Sequence, residues 1–201
     1  MLTPRIQQHF VEGADLHYQC AQALAPALEA AAMTLVQCLT AGGKVLIAGH
    51  GAAAALAPLL AAQLVGRFER ERPELPAVAV GAPLAPAAVA ASPEAAAWFT
   101  TRQLRALGLP GDVLVWLSAA APGEEAVAWV QAAHERDMTV VAFTSARAGD
   151  VPDALRDGDV WVAVPAERPA RVLEAQLAAL HALCDALDAQ LLGEEEMEVT
   201  G

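Results

Sequence analysis

Lysine is nearly missing from this chain. Lys44 is the only one in 201 residues, and arginine carries the rest of the positive charge. The formal net charge is −12, and neutralising a nucleic-acid backbone takes clustered Lys and Arg, so direct nucleic-acid binding is not expected. Cysteine is scarce as well. Cys20, Cys38 and Cys184 stand at unrelated spacings. That argues against a disulfide framework or a metal knuckle and for buried thiols in a reducing compartment. The opening stretch MLTPRIQQHFVEG lacks the apolar core of a secretory signal. Apolar runs such as residues 49–65 are alanine-rich and broken by His50 and Pro58, too weak for a membrane span. A cytoplasmic chain without membrane contact is expected.

What the chain does hold is apolar surface, 56% of its residues, with Pro and Gly falling between periodic segments. That composition and length suit one α/β domain. Five short β-branched runs stand out: KVLIAG (44–49), PAVAVG (76–81), DVLVWLS (112–118), TVVAFTS (139–145) and VWVAVPA (160–166). Each is nearly continuous in apolar character, as strands covered on both faces must be. Between them lie stretches with helical spacing at 52–70, 94–107, 124–136 and 168–192. The alternation predicts βαβ units and a doubly wound parallel sheet. Two amphipathic helices precede it, with Thr3 as the expected cap before Pro4 and Gly42-Gly43 closing the second. The expected organisation is a helical oligomerisation segment over 1–43, the α/β domain over 44–192, and an acidic tail over 193–201. Ligands of such sheets bind beyond the carboxyl ends of the strands, which points to residues 49–55, 81–93, 118–124 and 145–150.

The segments AGGKVLIAGHG, LVGRFERERPELPAVAV, RQLRALGLPGDVLVWLS, ERDMTVVAFTS and ARVLEAQLAALHALCD resemble the sugar isomerase (SIS) domain family. Within it they are similar to the phosphoheptose isomerase branch, which also holds the DnaA initiator-associating protein. The stretches AAMTLVQ, FERERPELPA and QLRALGLPGDVL look closest to that second type. The resemblance implies a flavodoxin-like five-stranded parallel sheet, a homotetramer built on the terminal helices, and sugar-phosphate sites at subunit junctions.

Aldose–ketose isomerisation needs a base beside the carbonyl, a partner that moves protons between oxygens, and donors for the phosphate. By resemblance, the base falls on Gln63, whose amide is not basic, and the histidine on His181. The first phosphate turn falls on Gly49, His50, Gly51, Ala52 and Ala53. The second begins at Ser118 and continues Ala119, Ala120, Ala121, Pro122, Gly123, with Pro122 removing a backbone donor. Ser92-Pro93 stands where an asparagine–aspartate pair belongs. A zinc set would fall on Leu59, Gln63, Leu173 and His181, and one imidazole does not hold zinc, so no metal and no cofactor are expected.

Blander roles compete at each position. His181 fills an apolar helix face, and His50 fills space left by a missing ligand. Arg171 and Glu174 form an i,i+3 ion pair. Arg67 lies near the site in relatives, yet RFERER (67–72) also suits a solvated salt-bridge network. Trp98, Trp116, Trp129 and Trp161 serve as core or interface anchors, Trp116 above all. The expectation is a catalytically inactive homotetrameric scaffold, with the replication initiator as partner and a degenerate cleft (Gly49, His50, Gly51, Ala53, Arg67, Ser118) that binds a sugar phosphate or anion weakly. The alternatives are a phosphoheptose isomerase-like enzyme acting through His181, and a sugar-phosphate sensor.

Overall fold

Residues 2–81 and 93–193 are described by the computed structural model. Two helices lead the chain, α1 (Leu2–Ala23) and α2 (Ala25–Thr40). Thr3 does not cap α1. The helix already begins at Leu2, so Thr3 and Pro4 lie in its first turn, where proline's missing amide hydrogen costs nothing. At the other end of α2 the glycine pair acts as expected. The Gly42 amide donates to Leu39 O and the Gly43 amide to Cys38 O, with Gly42 at φ +83°.

The five apolar runs form β1 (Val45–His50), β2 (Ala77–Val80), β3 (Val113–Ser118), β4 (Thr139–Thr144) and β5 (Val160–Ala163). Every pairing is parallel and the spatial order is β2-β1-β3-β4-β5, the flavodoxin-like arrangement. A tight helical turn, Gly51–Ala55, leads into α3 (Leu56–Val65). The remaining helices are α4 (Pro93–Leu107), α5 (Glu124–His134), the short α6 (Val151–Ala154) and α7 (Pro169–Leu192).

Strand alternation divides the core into two layers. Val45, Ile47, Val113, Val115 and Leu117 face α2, α3 and α7, meeting Leu35, Leu60 and Leu183. Leu46, Ala48, Leu114 and Trp116 face the other way, onto Leu104 of α4 and Val130 and Ala133 of α5. Burying each such side chain contributes roughly 1.5–3 kcal/mol, so both layers are needed to hold the sheet. Trp116 is fully buried and Trp129 nearly so, while Trp98 and Trp161 are exposed.

One helix ends sooner than its spacing predicts. The periodic pattern continues to residue 70, but α3 stops at Val65 and the chain turns away at Gly66. Arg72 causes this. Its guanidinium curls back to donate to Leu64 O at 2.8 Å and Gln63 O at 2.7 Å, satisfying carbonyls the helix end leaves open. Its Nε also meets Asp188 of α7 at 2.6 Å, with both side chains about 2% exposed or less. The solvated network expected of RFERER therefore holds for Arg67 with Glu71 and fails for Arg72. Among the described residues, no single helix is long and apolar enough to cross a membrane. Ser92 and residues 194–201 of the expected acidic tail lie outside the described residues.

Candidate functional site

The strand order reverses between β1 and β3, and the turns that leave these two strands diverge there. That is where an open parallel sheet offers a crevice. The residues on its two sides are the turn after β1, Gly49 to Ala53, and the turn after β3, Ser118 to Gly123. Register brings them together, because His50 pairs directly with Ser118.

Gly49 has no room for a side chain. A Cβ there would lie 2.5 Å from Ala54 Cα and 2.6 Å from Ala53 O, both backbone atoms. Gly51 sits at φ +57°, a left-handed turn that glycine tolerates without strain. Ala53 is fully buried in the core, so its methyl supports the turn from beneath. Ser118 is also fully buried. Its hydroxyl donates to Ala120 O at 2.9 Å, and its carbonyl accepts from Gln176 Nε2 of α7 at 2.8 Å. Ser118 thus shapes its own turn, and Gln176 pins that turn from below.

His50 does more than fill space. Its Nε2 lies 2.8 Å from Glu125 Oε1, in the first turn of α5, so the pair bridges the two turns. The ring meets the Trp129 indole edge-on at 6.5 Å. Both side chains stay partly open to solvent, 29% and 45% exposed. Helix α5 opens at Gly123 without a side-chain cap, and the Glu125 carboxylate folds back over that glycine. Sequence analysis gave no signal for this pair, since 75 residues separate its members and only the β1–β3 pairing joins them.

Gln63 and His181 occupy a different place, on the α3–α7 layer. The Cys184 thiol donates to Gln63 Oε1 at 3.7 Å, and the His181 ring lies 5.3 Å from Phe68. Burial, reinforced by the Asp188 charge, pushes the Cys184 thiol up to about 12, which keeps it protonated. Gln176 marks the level of the strand ends. His181 is five residues further along α7, about 8 Å away from the crevice at helical rise. Within one chain the structure brings Gly49, His50, Gly51, Ala53 and Ser118 together and sets Gln63 and His181 apart from them. Arg67 points to solvent with Glu71. Arg171 and Glu174 form the expected i,i+3 pair at 2.5 Å, although the arginine is buried. Leu59 and Leu173 bring no donor atom to a metal.

A cavity of about 350 Å³ lies elsewhere, between α1, α2 and α7, lined by Cys20, Leu28, Met33 and Ala182 among others. Its walls are mainly aliphatic. The crevice at the strand ends carries convergent backbone turns and an ionisable pair, and chemistry requires those.

The SIS domain family model matches residues 8–145. The phosphoheptose isomerase of Methylibium petroleiphilum is 43% identical over 197 residues, 98% of each chain. That of Thiobacillus denitrificans is 42% identical, covering 97% of this chain and 99% of its own. The solved phosphoheptose isomerase of Neisseria gonorrhoeae superposes with a TM-score of 0.84 at 35% identity, over 94% of this chain and all of that one. These findings overturn the expectation of an inactive scaffold for replication initiation, because the near-full-length relatives are phosphoheptose isomerases. The expectation rested on missing side-chain oxygens, yet backbone amides at β–α turns attract anions without them. From its two-layered sheet to the turns at its switch point, the chain belongs to the SIS domain family, in the phosphoheptose isomerase branch.

Proposed function

We propose that this chain is an aldose–ketose isomerase acting on a seven-carbon sugar phosphate. The observation that carries the reading is identity of 36–43% to four phosphoheptose isomerases across at least 96% of the chain. The crevice at the β1–β3 switch point supports it, since this fold class places its ligands there. The phosphate rests on the backbone of the turn after β1 near Gly51, where nothing lies within 4 Å of the space a side chain would take and the main chain is open to close approach. His181, which one chain sets apart from this crevice, comes to the sugar from a neighbouring subunit in this reading and moves a proton between its oxygens.

The working unit in this reading is a homotetramer. α1 leaves Leu2, Ile6, Phe10, Val11 and Tyr18 exposed, more apolar surface than a solvated helix carries without a partner. The three free thiols suit a reducing compartment, and the activity is placed in the cytoplasm.

The test is incubation of purified protein with sedoheptulose 7-phosphate, followed by chromatographic detection of the aldose phosphate. Appearance of aldose in proportion to enzyme, reduced in His181→Ala, is the expected result. No aldose at any enzyme concentration would remove the isomerase reading.

A further inference from the structure

We propose that His50 is the cationic partner of the phosphate in this crevice, and that its ring takes up one proton from solvent as the phosphate binds. The inference rests on the reading above for the ligand's place, the turn after β1, and names the side chain that meets its charge.

Charge is scarce around that turn. His50 is the one ionisable residue in 49–58, and 118–123 contain none. The alanines bring no hydroxyl, and the Ser118 hydroxyl is engaged by Ala120 O. Backbone amides near Gly51 offer dipoles to an anion but no full positive charge. His50 directly precedes Gly51 and is fixed at the strand end by its pairing with Ser118. It is the one side chain of the two turns that can supply the charge.

The surroundings of the ring decide which protonation state suits a phosphate. Glu125, in the first turn of α5, lies 2.8 Å from Nε2, and the Trp129 indole stands edge-on at 6.5 Å. Glu124 beside it is exposed and forms no ion pair with the ring, and Ser118, opposite on β3, does not titrate. Glu125 is thus the charged group that meets His50 among the described residues. In the neutral ring Nε2 donates to Glu125, and Nδ1, which makes no hydrogen bond among the described residues, keeps a lone pair. A phosphate arriving at Gly51 then faces a lone pair and a carboxylate, and both repel it. One added proton removes both obstacles. Nδ1 becomes a donor, Nε2 keeps its bond to Glu125, and the ring brings a positive charge to two anions.

Binding and protonation therefore reinforce each other. An anion beside the ring favours the charged form, and the charged form favours the anion, with the same coupling in both directions. No bond to carbon forms or breaks. One proton passes from solvent to Nδ1 on binding and returns to solvent on release. The protonated ring is the binding form, so affinity is highest at the acid end of the imidazole range, about pH 5–8, and falls as pH rises through it.

The probe is inorganic sulfate, a phosphate stand-in that stays doubly charged across this range. It is titrated calorimetrically into the full chain at several pH values between about 6 and 8, in buffers of different ionisation enthalpy. For wild-type protein the Kd is expected to rise about tenfold or more across the series, with binding heats that report uptake of a proton. His50→Gln, which keeps an amide toward Glu125, is expected to bind about tenfold more weakly at the acid end and to lose the pH dependence. His50→Asn is expected to do the same. Glu125→Gln removes a charge that favours the protonated ring, so the fall in affinity is expected at lower pH than in wild type. A wild-type Kd that does not change with pH, or a His50→Gln profile within threefold of wild type throughout, would overturn the assignment. So would the absence of saturable sulfate binding to wild-type protein. Aldose formation from sedoheptulose 7-phosphate is measured on the same preparation, so the isomerase reading stands or falls separately.

Discussion

Arg72 with Asp188 and His50 with Glu125 are two of the ionisable pairs that tie distant parts of this chain together, and they lie on opposite layers of one sheet. The first is sealed. Arg72 bonds protein atoms through all three of its nitrogens, and neither side chain meets solvent to any useful extent. The second stands open at the strand ends, with both members partly exposed. A buried pair tolerates no vacancy, because removing one partner strands a charge in a medium that cannot solvate it. An open pair loses little when broken, since water replaces either partner. The sealed pair is therefore suited to fixing the end of α3 against α7, and the open pair to meeting a ligand.

Mutations separate the two roles. Arg72→Ala leaves the Asp188 carboxylate buried and the Gln63 and Leu64 carbonyls uncapped, so a loss of about 3–5 kcal/mol in urea unfolding is expected. A loss under about 1 kcal/mol, the range of an exposed pair, would erase the distinction drawn between the pairs. Gly49→Ala forces a methyl onto Ala53 and Ala54 backbone. The expected cost is about 1–3 kcal/mol, read as a lowered melting temperature, with activity falling further because the turn shifts. Glu125→Ala should change stability by less than about 1 kcal/mol. A large loss of stability there would show that the open pair holds the fold after all.

Much of the fold was legible. Five continuous apolar runs of strand length separated by helical spacing leave few alternatives to a doubly wound parallel sheet, and the Gly42-Gly43 pair marked the end of α2. Two boundaries were not. Thr3 carries the chemistry of a cap, yet α1 reaches past it to Leu2. The periodic pattern after Gly51 gave no warning that α3 would end at Val65, with Arg72 capping it and meeting Asp188, 116 positions away. In RFERER the arginines look alike, and only the tertiary partner tells Arg67 from Arg72.

The candidate site was half legible for the same reason. Glycines and strand ends pointed to the turns after β1 and β3. What the turns lack was easier to see than what another element brings, and Glu125 comes from α5. Counting absent hydroxyls led to an inert shell, whereas near-full-length likeness to phosphoheptose isomerases points to an active one. Local sequence shows which groups are missing, but a pair joined from across the fold becomes visible only when the sheet is assembled.

The most direct test of the isomerase account is an NMR time course of purified wild-type protein run from both directions, once from sedoheptulose 7-phosphate and once from the aldose heptose 7-phosphate. The account predicts that both reactions converge on one ketose-to-aldose ratio, at a rate proportional to enzyme. Two mixtures that stay unchanged at high enzyme concentration, with the protein folded, would contradict it.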